Sequence, residues 1–294
     1  ELFHIFSLLD RMLVKNSIFC HLSEVKNIHY EQKYNTDWFM RAILATLYYL
    51  IVFVGMVILG VPYIIYKGYI CGHKEEITNV CQFFFKNIAF KLFRIKIKIE
   101  GEENIPKGRK GFVIVANHQS FLDINVIWPA IGNAAFMAKA SLWKAPVFGW
   151  VISTIGCIPV HKNPRMNAGM GKLVSERIAK GYNFAVFPEG HRTEDGHMLK
   201  FQNGIFRMAK DQNFDILPIT LVNTGEILPK VKWSIRGGEV RMVVHPMVKA
   251  SDYADKSMAE LRDELHDLVE SAMPYKQAEL AQAKLDAESG TKEA

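Results

Sequence analysis

"VIVANHQSFLDINVIWP", residues 113–129, sets two different apolar patterns on either side of a polar break. Val113 to Ala116 is a short uninterrupted apolar run that reads as a buried strand, and the segment from Phe121 reads as the helix that follows it. Asn117, His118 and Gln119 form a loop between the two, and Ser120 is a good N-cap for a helix beginning at Phe121. The same rhythm continues along the chain. Apolar runs in "AFMAK" (135–139), "GCIPV" (156–160), "NFAVF" (183–187), "DILPITLV" (215–222) and "EVRMVVH" (239–245) are separated by longer amphipathic stretches. Before them, "RIKIKIE" (94–100) alternates as a strand with one basic face. Short buried strands alternating with helices predict an α/β domain with a mostly parallel sheet flanked by helices, its strands ending in site-bearing loops.

The chain has 294 residues, 49% hydrophobic and 22% charged, with a formal net charge of +6. That is the size of one α/β domain with an attachment. The charge suits an anionic membrane surface or anionic substrates, and no nucleic-acid-binding motif is present. Ala42 to Tyr66 contains no charged residue. As a helix it would reach roughly 38 Å, more than the roughly 30 Å of a bilayer's hydrocarbon. Trp38, Tyr63, Tyr66 and Tyr69 lie near its ends, where aromatic residues prefer the membrane interface. The pattern predicts an N-terminal membrane helix that spans the bilayer. The alternative is a buried hairpin or a monotopic insertion broken at Gly60 and Pro62. An excess of Lys and Arg after the run, from Lys67 to Lys98, puts the larger C-terminal part on the cytoplasmic side by the positive-inside rule.

Leu2, Ile5, Phe6, Leu9, Met12 and Leu13 recur at helical spacing, so residues 1–41 are read as an amphipathic N-terminal segment. The aromatic stretch "CQFFFKNIAFKLF" (81–93) suits either a membrane face or a core. Ser257 and Glu260 form a capping-box pattern ahead of a helix that Pro274 ends, and residues 274–294 are a frayed helix or tail. Cys20, Cys71, Cys81 and Cys157 have no metal or disulfide spacing and read as reduced packing residues. No metal-ligand cluster is evident.

His118 and Asp123 are five residues apart, about 140° around a helix, so they meet only if the His precedes the helix and the Asp lies in its first turn. A carboxylate on one imidazole nitrogen fixes the tautomer and leaves the other nitrogen to take a proton from a hydroxyl. This is the His-Asp half of a catalytic triad without its serine. The competing reading is structural: Ser120 and Asp123 also fit a capping box, with His118 a loop histidine. A second strand-end loop, "FAVFPEGHRTEDG" (184–196), carries a glycine suited to an unusual backbone angle and an arginine fork suited to phosphate.

These residues carry a resemblance to the membrane-associated glycerolipid acyltransferases of the lysophosphatidic acid acyltransferase type. Asn117, His118 and Asp123 match that family's N-H-x4-D signature. Phe187, Pro188, Glu189, Gly190 and Arg192 match F-P-E-G-[TS]-R, with His191 in place of Thr or Ser. Leu217-Pro218-Ile219 resembles the family's fourth block, and Gly156 to Lys162 its second, with Lys162 where Arg is common. Similarity also runs through "FMAKASLWKAPVFGW" (136–150), so it covers roughly residues 80 to 250.

The resemblance implies His118 as general base and Asp123 as its orienting partner. It implies substrate binding by Asn117, Lys139, Lys162, Glu189, Gly190 and Arg192, with Glu189 and Arg192 holding the acceptor's phosphate and glycerol and Lys139 near the thioester. Lys162 keeps a charge but loses the bidentate fork. Residues 42–67 would then be the membrane segment and 68–273 the acyltransferase domain. Acyl-CoA or acyl-carrier protein would be the co-substrate, lysophosphatidic acid and membrane lipids the partners, with no other cofactor and no nucleic acid. Another lyso-acceptor, or an inactive lipid-binding scaffold, are the rival readings, and the oligomeric state is open.

Overall fold

The computed structural model of the protein describes residues 39–72, 79–108, 111–132, 134–230 and 234–290. The amphipathic pattern of residues 2–13 lies outside them. Seven strands form one sheet: β1 (Ile95–Glu100), β2 (Val113–Ala116), β3 (Ala134–Lys139), β4 (Ile158–Val160), β5 (Asn183–Val186), β6 (Ile216–Val222) and β7 (Gly238–Val244). Their spatial order is β1-β7-β6-β2-β5-β3-β4. All neighbours run parallel except β6 and β7. Every strand lies where the apolar runs predict it. Pro218 sits within β6 opposite Val115, and the antiparallel ladder to β7 starts one residue later at Ile219. The strand therefore tolerates a residue that cannot donate.

Side chains alternate between the two faces of the sheet, as the period of two requires. Ile114, Ala116, Leu217, Ile219 and Leu221 face one core, closed by Leu122, Val126 and Ile127 of α3 (Leu122–Ile131) and by the N-terminal helices described below. Val113, Val115, Phe184, Val186 and Ile216 face the other. Val174 of α5 (Met170–Ala179), Phe206 of α6 (Gly204–Gln212) and Leu261, Leu265 and Val269 of α7 (Met258–Glu270) close that second core. Helix α4 (Pro146–Thr154) joins β3 to β4. The Ser257 and Glu260 capping box is present at the start of α7. Pro274 does not follow α7 directly: that helix ends at Glu270, and the proline opens a further one, α8 (Pro274–Gly290), where its missing N–H costs nothing.

The first described element, α1 (Phe39–Ile70), is 32 residues long, and among the described helices it alone is long and apolar enough to cross a membrane. It is not broken at Gly60 and Pro62. The backbone widens into π-helical turns at Met56–Gly60 and Ile64–Ile70 on either side of the proline. Helix α2 (residues 79–92) returns along it, with the Phe84 ring over Gly55, where a Cβ would meet that ring at 2.2 Å.

α1 touches the domain along its whole length. The Arg41 carbonyl accepts the Ile235 N–H, Tyr48 is wholly buried against Phe93 and Asn125, and Tyr69 stacks on Trp150 near the other end. The opposite face exposes Leu47, Leu50, Phe53, Val54, Ile58 and Ile65. An apolar surface of that extent is suited to a membrane rather than to water. The aromatic stretch of α2 divides between both expected uses: Phe84, Phe85 and Phe90 are buried, whereas Phe83 and Leu92 are exposed.

Candidate active site

Parallel strands deliver their carboxyl ends to one edge of the sheet, and each sequence-predicted site residue lies there. The His118 loop follows β2, the Phe187–Arg192 loop follows β5, Lys139 ends β3 and Lys162 follows β4. From the sheet order these loops are adjacent in the sequence β2, β5, β3, β4. Because β6 lies on the other side of β2, the chain changes direction between β2 and β6, the kind of place where open α/β sheets form ligand crevices. A cavity of about 800 Å³ opens there, lined among others by Gln119, Thr193, Asn223, Lys230, Arg41 and Tyr275.

Helix α3 starts at Leu122, one residue later than the sequence predicts. The Ser120 hydroxyl accepts the Leu122 N–H at 3.1 Å and donates to the Leu228 carbonyl at 2.6 Å. Asp123 is thus in the first turn, fully buried, and its Oδ2 lies 2.7 Å from His118 Nδ1. The same oxygen accepts the N–H groups of Gln119 and Ser120, each at 2.8 Å. The catalytic and the structural readings of this segment therefore describe one atom: Oδ2 caps the turn and orients the imidazole together. A carboxylate oxygen only accepts, so as its partner Nδ1 is the nitrogen that carries the proton. Nε2 is left as the accepting nitrogen, on a side chain that is 17% exposed.

The imidazole is also held from one face. Phe187 lies parallel to it, with ring centroids 4.0 Å apart and planes 12° from parallel. Phe187 in turn stacks on Phe136, which meets Trp128 edge-on, and Trp128 stacks on Phe85 of α2. An aromatic column thus runs from His118 to the N-terminal helices. On the other side of the His118 loop lies the polar cavity. Its cations Arg41, Lys230 and Arg236 stand beside Glu194, Asp195 and Glu226, with Lys230 paired to Glu194 at 2.8 Å and Arg236 paired to Glu226.

Two expected substrate ligands turn inward instead. Asn117 is fully buried, its amide donating to the Leu221 carbonyl at 2.8 Å and accepting the Leu221 N–H at 2.7 Å. It ties β2 to β6, and the same amide nitrogen also faces Met273 Sδ at 3.8 Å. Glu189 is 2% exposed, with Oε1 accepting the His118 N–H at 2.6 Å and Oε2 the Leu199 N–H at 2.8 Å. Each carboxylate oxygen is therefore engaged by a backbone N–H. Burial pushes the Glu189 carboxyl up to about 7, against the pull of those two N–H groups, with the Asp123 charge adding to the rise.

Gly190 shapes the turn: its φ is +78°, and a Cβ there would meet Gln202 Nε2 at 2.4 Å. Arg192 is half-buried beside the His118 loop, since the neighbouring Thr193 N–H donates to the His118 carbonyl at 2.9 Å. Lys139 and Lys162 are exposed. Among the described residues, no hydrogen bond or ion pair joins either lysine to His118. Cys157 is buried and free, its thiol pushed up to about 12 by burial, and Cys71 is half-buried and free. His266, Asp267 and Glu270 on α7 offer ligand atoms within 4.8 Å of one another, but Glu270 already accepts the Tyr275 hydroxyl.

Sequence reasoning assigned no role to Leu199, Tyr48 or Asn125. The first acts through its backbone N–H, which no side-chain pattern reveals. The Tyr48–Asn125 hydrogen bond, at 2.6 Å, joins residues 77 positions apart. Only the docking of α1 on α3 brings them together.

A strand-end His-Asp pair beside a Pro-Glu-Gly turn on a parallel sheet defines an acyltransferase-type domain, and residues 96–222 match the protein-family model described as Acyltransferase. The 1-acyl-sn-glycerol-3-phosphate acyltransferase of Borreliella burgdorferi is 30% identical over 184 residues, covering 60% of this chain and 73% of that protein. The chloroplastic 1-acyl-sn-glycerol-3-phosphate acyltransferase of Arabidopsis thaliana is 36% identical over 158 residues, 53% of this chain and 44% of the relative. The crystal structure of the 1-acyl-sn-glycerophosphate acyltransferase PlsC of Thermotoga maritima superposes with a TM-score of 0.68 at 28% identity, covering 79% of this chain and 95% of that one. This chain belongs to the 1-acyl-sn-glycerol-3-phosphate acyltransferase family. It spans about half the length of the chloroplastic relatives that it matches.

Proposed function

We propose that the chain transfers an acyl group from an acyl thioester, acyl-CoA or acyl-carrier protein, to the sn-2 hydroxyl of lysophosphatidic acid, giving phosphatidic acid for phospholipid synthesis. The observation that carries this reading is the His118–Asp123 pair at 2.7 Å, with Nε2 left as acceptor. Nε2 takes the proton of the acceptor hydroxyl as its oxygen attacks the thioester carbonyl. The C–O bond forms, the C–S bond breaks, and the imidazolium returns the proton to the leaving thiolate. Asp123 stays ionised and stabilises the imidazolium between the two transfers. General-base assistance of this kind is worth about 10² to 10⁴ in rate. A thioester is already activated, so the reading requires neither a side-chain nucleophile nor a metal.

The two sides of the His118 loop fit the two characters of the substrates. Arg192, with its fork of donors, is the candidate for the acceptor phosphate. The aromatic column leads toward the lipid-facing helices, where an acyl chain would be accommodated, and the polar cavity suits a charged head group. Membrane placement follows from α1. Its contacts with the domain from Arg41 to Tyr69 support a helix lying in the plane of one leaflet over one that spans the bilayer, and the basic excess after it favours the cytoplasmic side. An acceptor with its chain in that leaflet then reaches His118 without leaving the lipid.

The test is acyl transfer by purified protein in nanodiscs, with labelled oleoyl-CoA, lysophosphatidic acid and a panel of other lyso-acceptors, beside His118→Ala. Phosphatidic acid formed by the wild type and lost in a folded variant is the expected result. Strong preference for another acceptor would overturn the substrate, and no transfer from either CoA or carrier-protein thioesters would overturn the activity.

A further inference from the structure

Glu189 is the one carboxylate of the site, apart from Asp123, that lies almost wholly out of solvent. A buried carboxylate is costly unless its oxygens are satisfied, and here both are satisfied by main-chain N–H groups on two separate loops. One of those N–H groups belongs to His118. The other belongs to Leu199, beyond the turn that carries Arg192.

The surrounding bonds tighten the same junction. The Gln202 N–H donates to the Pro188 carbonyl at 2.9 Å, and its side-chain amide to the Glu189 carbonyl at 3.3 Å. The Thr193 N–H donates back to the His118 carbonyl at 2.9 Å, so His118 is gripped by the Glu189 loop through both its N–H and its C=O. With Phe187 on one ring face and Asp123 on Nδ1, the imidazole is restrained at its backbone, one face and one nitrogen.

We infer that Glu189 is a positioning residue that fixes the backbone of His118 against the 187–202 loop, rather than a ligand of the acceptor. The inference rests on the acyl-transfer reading above and assigns one motif residue of that site a different task. Ionised, its carboxylate accepts both N–H groups, one on each oxygen. A protonated carboxyl turns one oxygen into a donor facing an N–H. The titratable groups around it are Asp123 and His118 on one side and Tyr275 on the other. Misplacing a catalytic group by about 1 Å costs on the order of 10² in rate. A substrate-binding carboxylate, by contrast, would express its loss in KM.

The experiment compares Glu189→Gln with Arg192→Ala in nanodiscs, measuring kcat and KM for lysophosphatidic acid and for oleoyl-CoA. The glutamine keeps one acceptor and places an amide NH₂ against the second N–H. Its expected result is a fall in kcat of about 10²-fold, with both KM values within about twofold of wild type. Arg192→Ala supplies the contrasting pattern, a raised KM for the acceptor alone. A Glu189→Gln variant with kcat retained and acceptor KM raised tenfold would overturn the inference.

Independent of turnover, and usable if the variant does not fold, the backbone amide resonances of His118 and Leu199 in the wild-type protein should titrate together between about pH 5 and 8. Leu199 is the informative reporter because its amide does not neighbour the imidazole in sequence. A Leu199 amide without hydrogen-exchange protection in the wild-type protein would overturn the clamp. If lysophosphatidic acid is not acylated by the wild type, the functional reading fails while the amide measurement still decides the role of Glu189.

Discussion

Phe187 covers one face of the His118 imidazole at a centroid separation of 4.0 Å and 12° from parallel, so a residue from the loop after β5 restrains the plane of the ring presented after β2. The stack adds a restraint that the Asp123 hydrogen bond alone lacks, because one bond to Nδ1 still permits the ring to tilt about it. Phe187→Leu keeps an apolar filler but removes the parallel face. It should lower kcat about fivefold, in line with a loss of about 1 kcal/mol of ring-ring interaction. Single-turnover rates, with circular dichroism to show that the fold is retained, check it.

Asp123→Asn tests the other restraint. The amide cannot accept from the imidazole, Gln119 and Ser120 together in the way that Oδ2 does. An amide group presented to Nδ1 also selects the wrong tautomer. Loss of a triad carboxylate by the same change costs about 10⁴ in kcat, and a similar loss is expected here. Turnover of the variant within tenfold of wild type would show that Asp123 is not the orienting partner of His118.

The pH dependence of stability carries a sign that distinguishes Glu189 from an ordinary surface glutamate. Burial raises its carboxyl to about 7 in the folded chain, above its unfolded value. Between those values the folded state binds the extra proton, so stability from this group is complete at low pH and falls as pH rises toward and past 7. The effect is on the order of 3 kcal/mol at full ionisation. The difference in melting temperature between wild type and Glu189→Gln should move against the wild type as pH increases from 5 to 8. A difference independent of pH would contradict the shifted carboxyl.

His245 contributes with the opposite sign. Burial lowers its imidazole to about 4, and its Nε2 lies 2.8 Å from the Thr220 hydroxyl, which donates onward to the Val269 carbonyl. Nε2 must then be the donor to Thr220. The unfolded chain takes up a proton near pH 6.5 that the folded chain refuses until about 4, so stability from this group is lost as pH falls through that window. His245→Gln should flatten the acid limb of the stability curve between about pH 6.5 and 4, read by thermal melts in detergent.

Docking of α1 on α3 rests on Tyr48 and Asn125, whose side chains meet at 2.6 Å with both residues buried. Tyr48→Phe keeps the ring and leaves the Asn125 amide without its partner. The cost should be about 1–3 kcal/mol, visible as a lower midpoint in denaturant. On the opposite face, Phe53→Lys and Ile58→Lys should release the protein from phosphatidylglycerol-containing vesicles in flotation without lowering its helix content. Binding as tight as wild type would argue that this face does not enter lipid.

The sequence by itself determined the secondary structure and the chemistry of the motif loops. Short apolar runs, and the alternation in "RIKIKIE", specify strands, and both patterns are local, so all seven strands lie where they put them. The five-residue spacing of His118 and Asp123 likewise required a loop histidine and a first-turn aspartate, and the 2.7 Å contact fulfils it.

Tertiary structure alone decided which polar side chains face outward. Asn117 and Glu189 have the composition of substrate ligands, but their partners are backbone groups of Leu221, His118 and Leu199, brought near only when β6 pairs with β2 and the β5 loop folds over. The placement of α1 is of the same kind. Its apolar length is legible in the chain and permits a span. Whether that length crosses a bilayer or lies along the domain depends on contacts with Asn125, Phe93 and Trp150, residues distant in sequence. Periodicity reports which residues leave water; it carries no information about which other surface they leave it for.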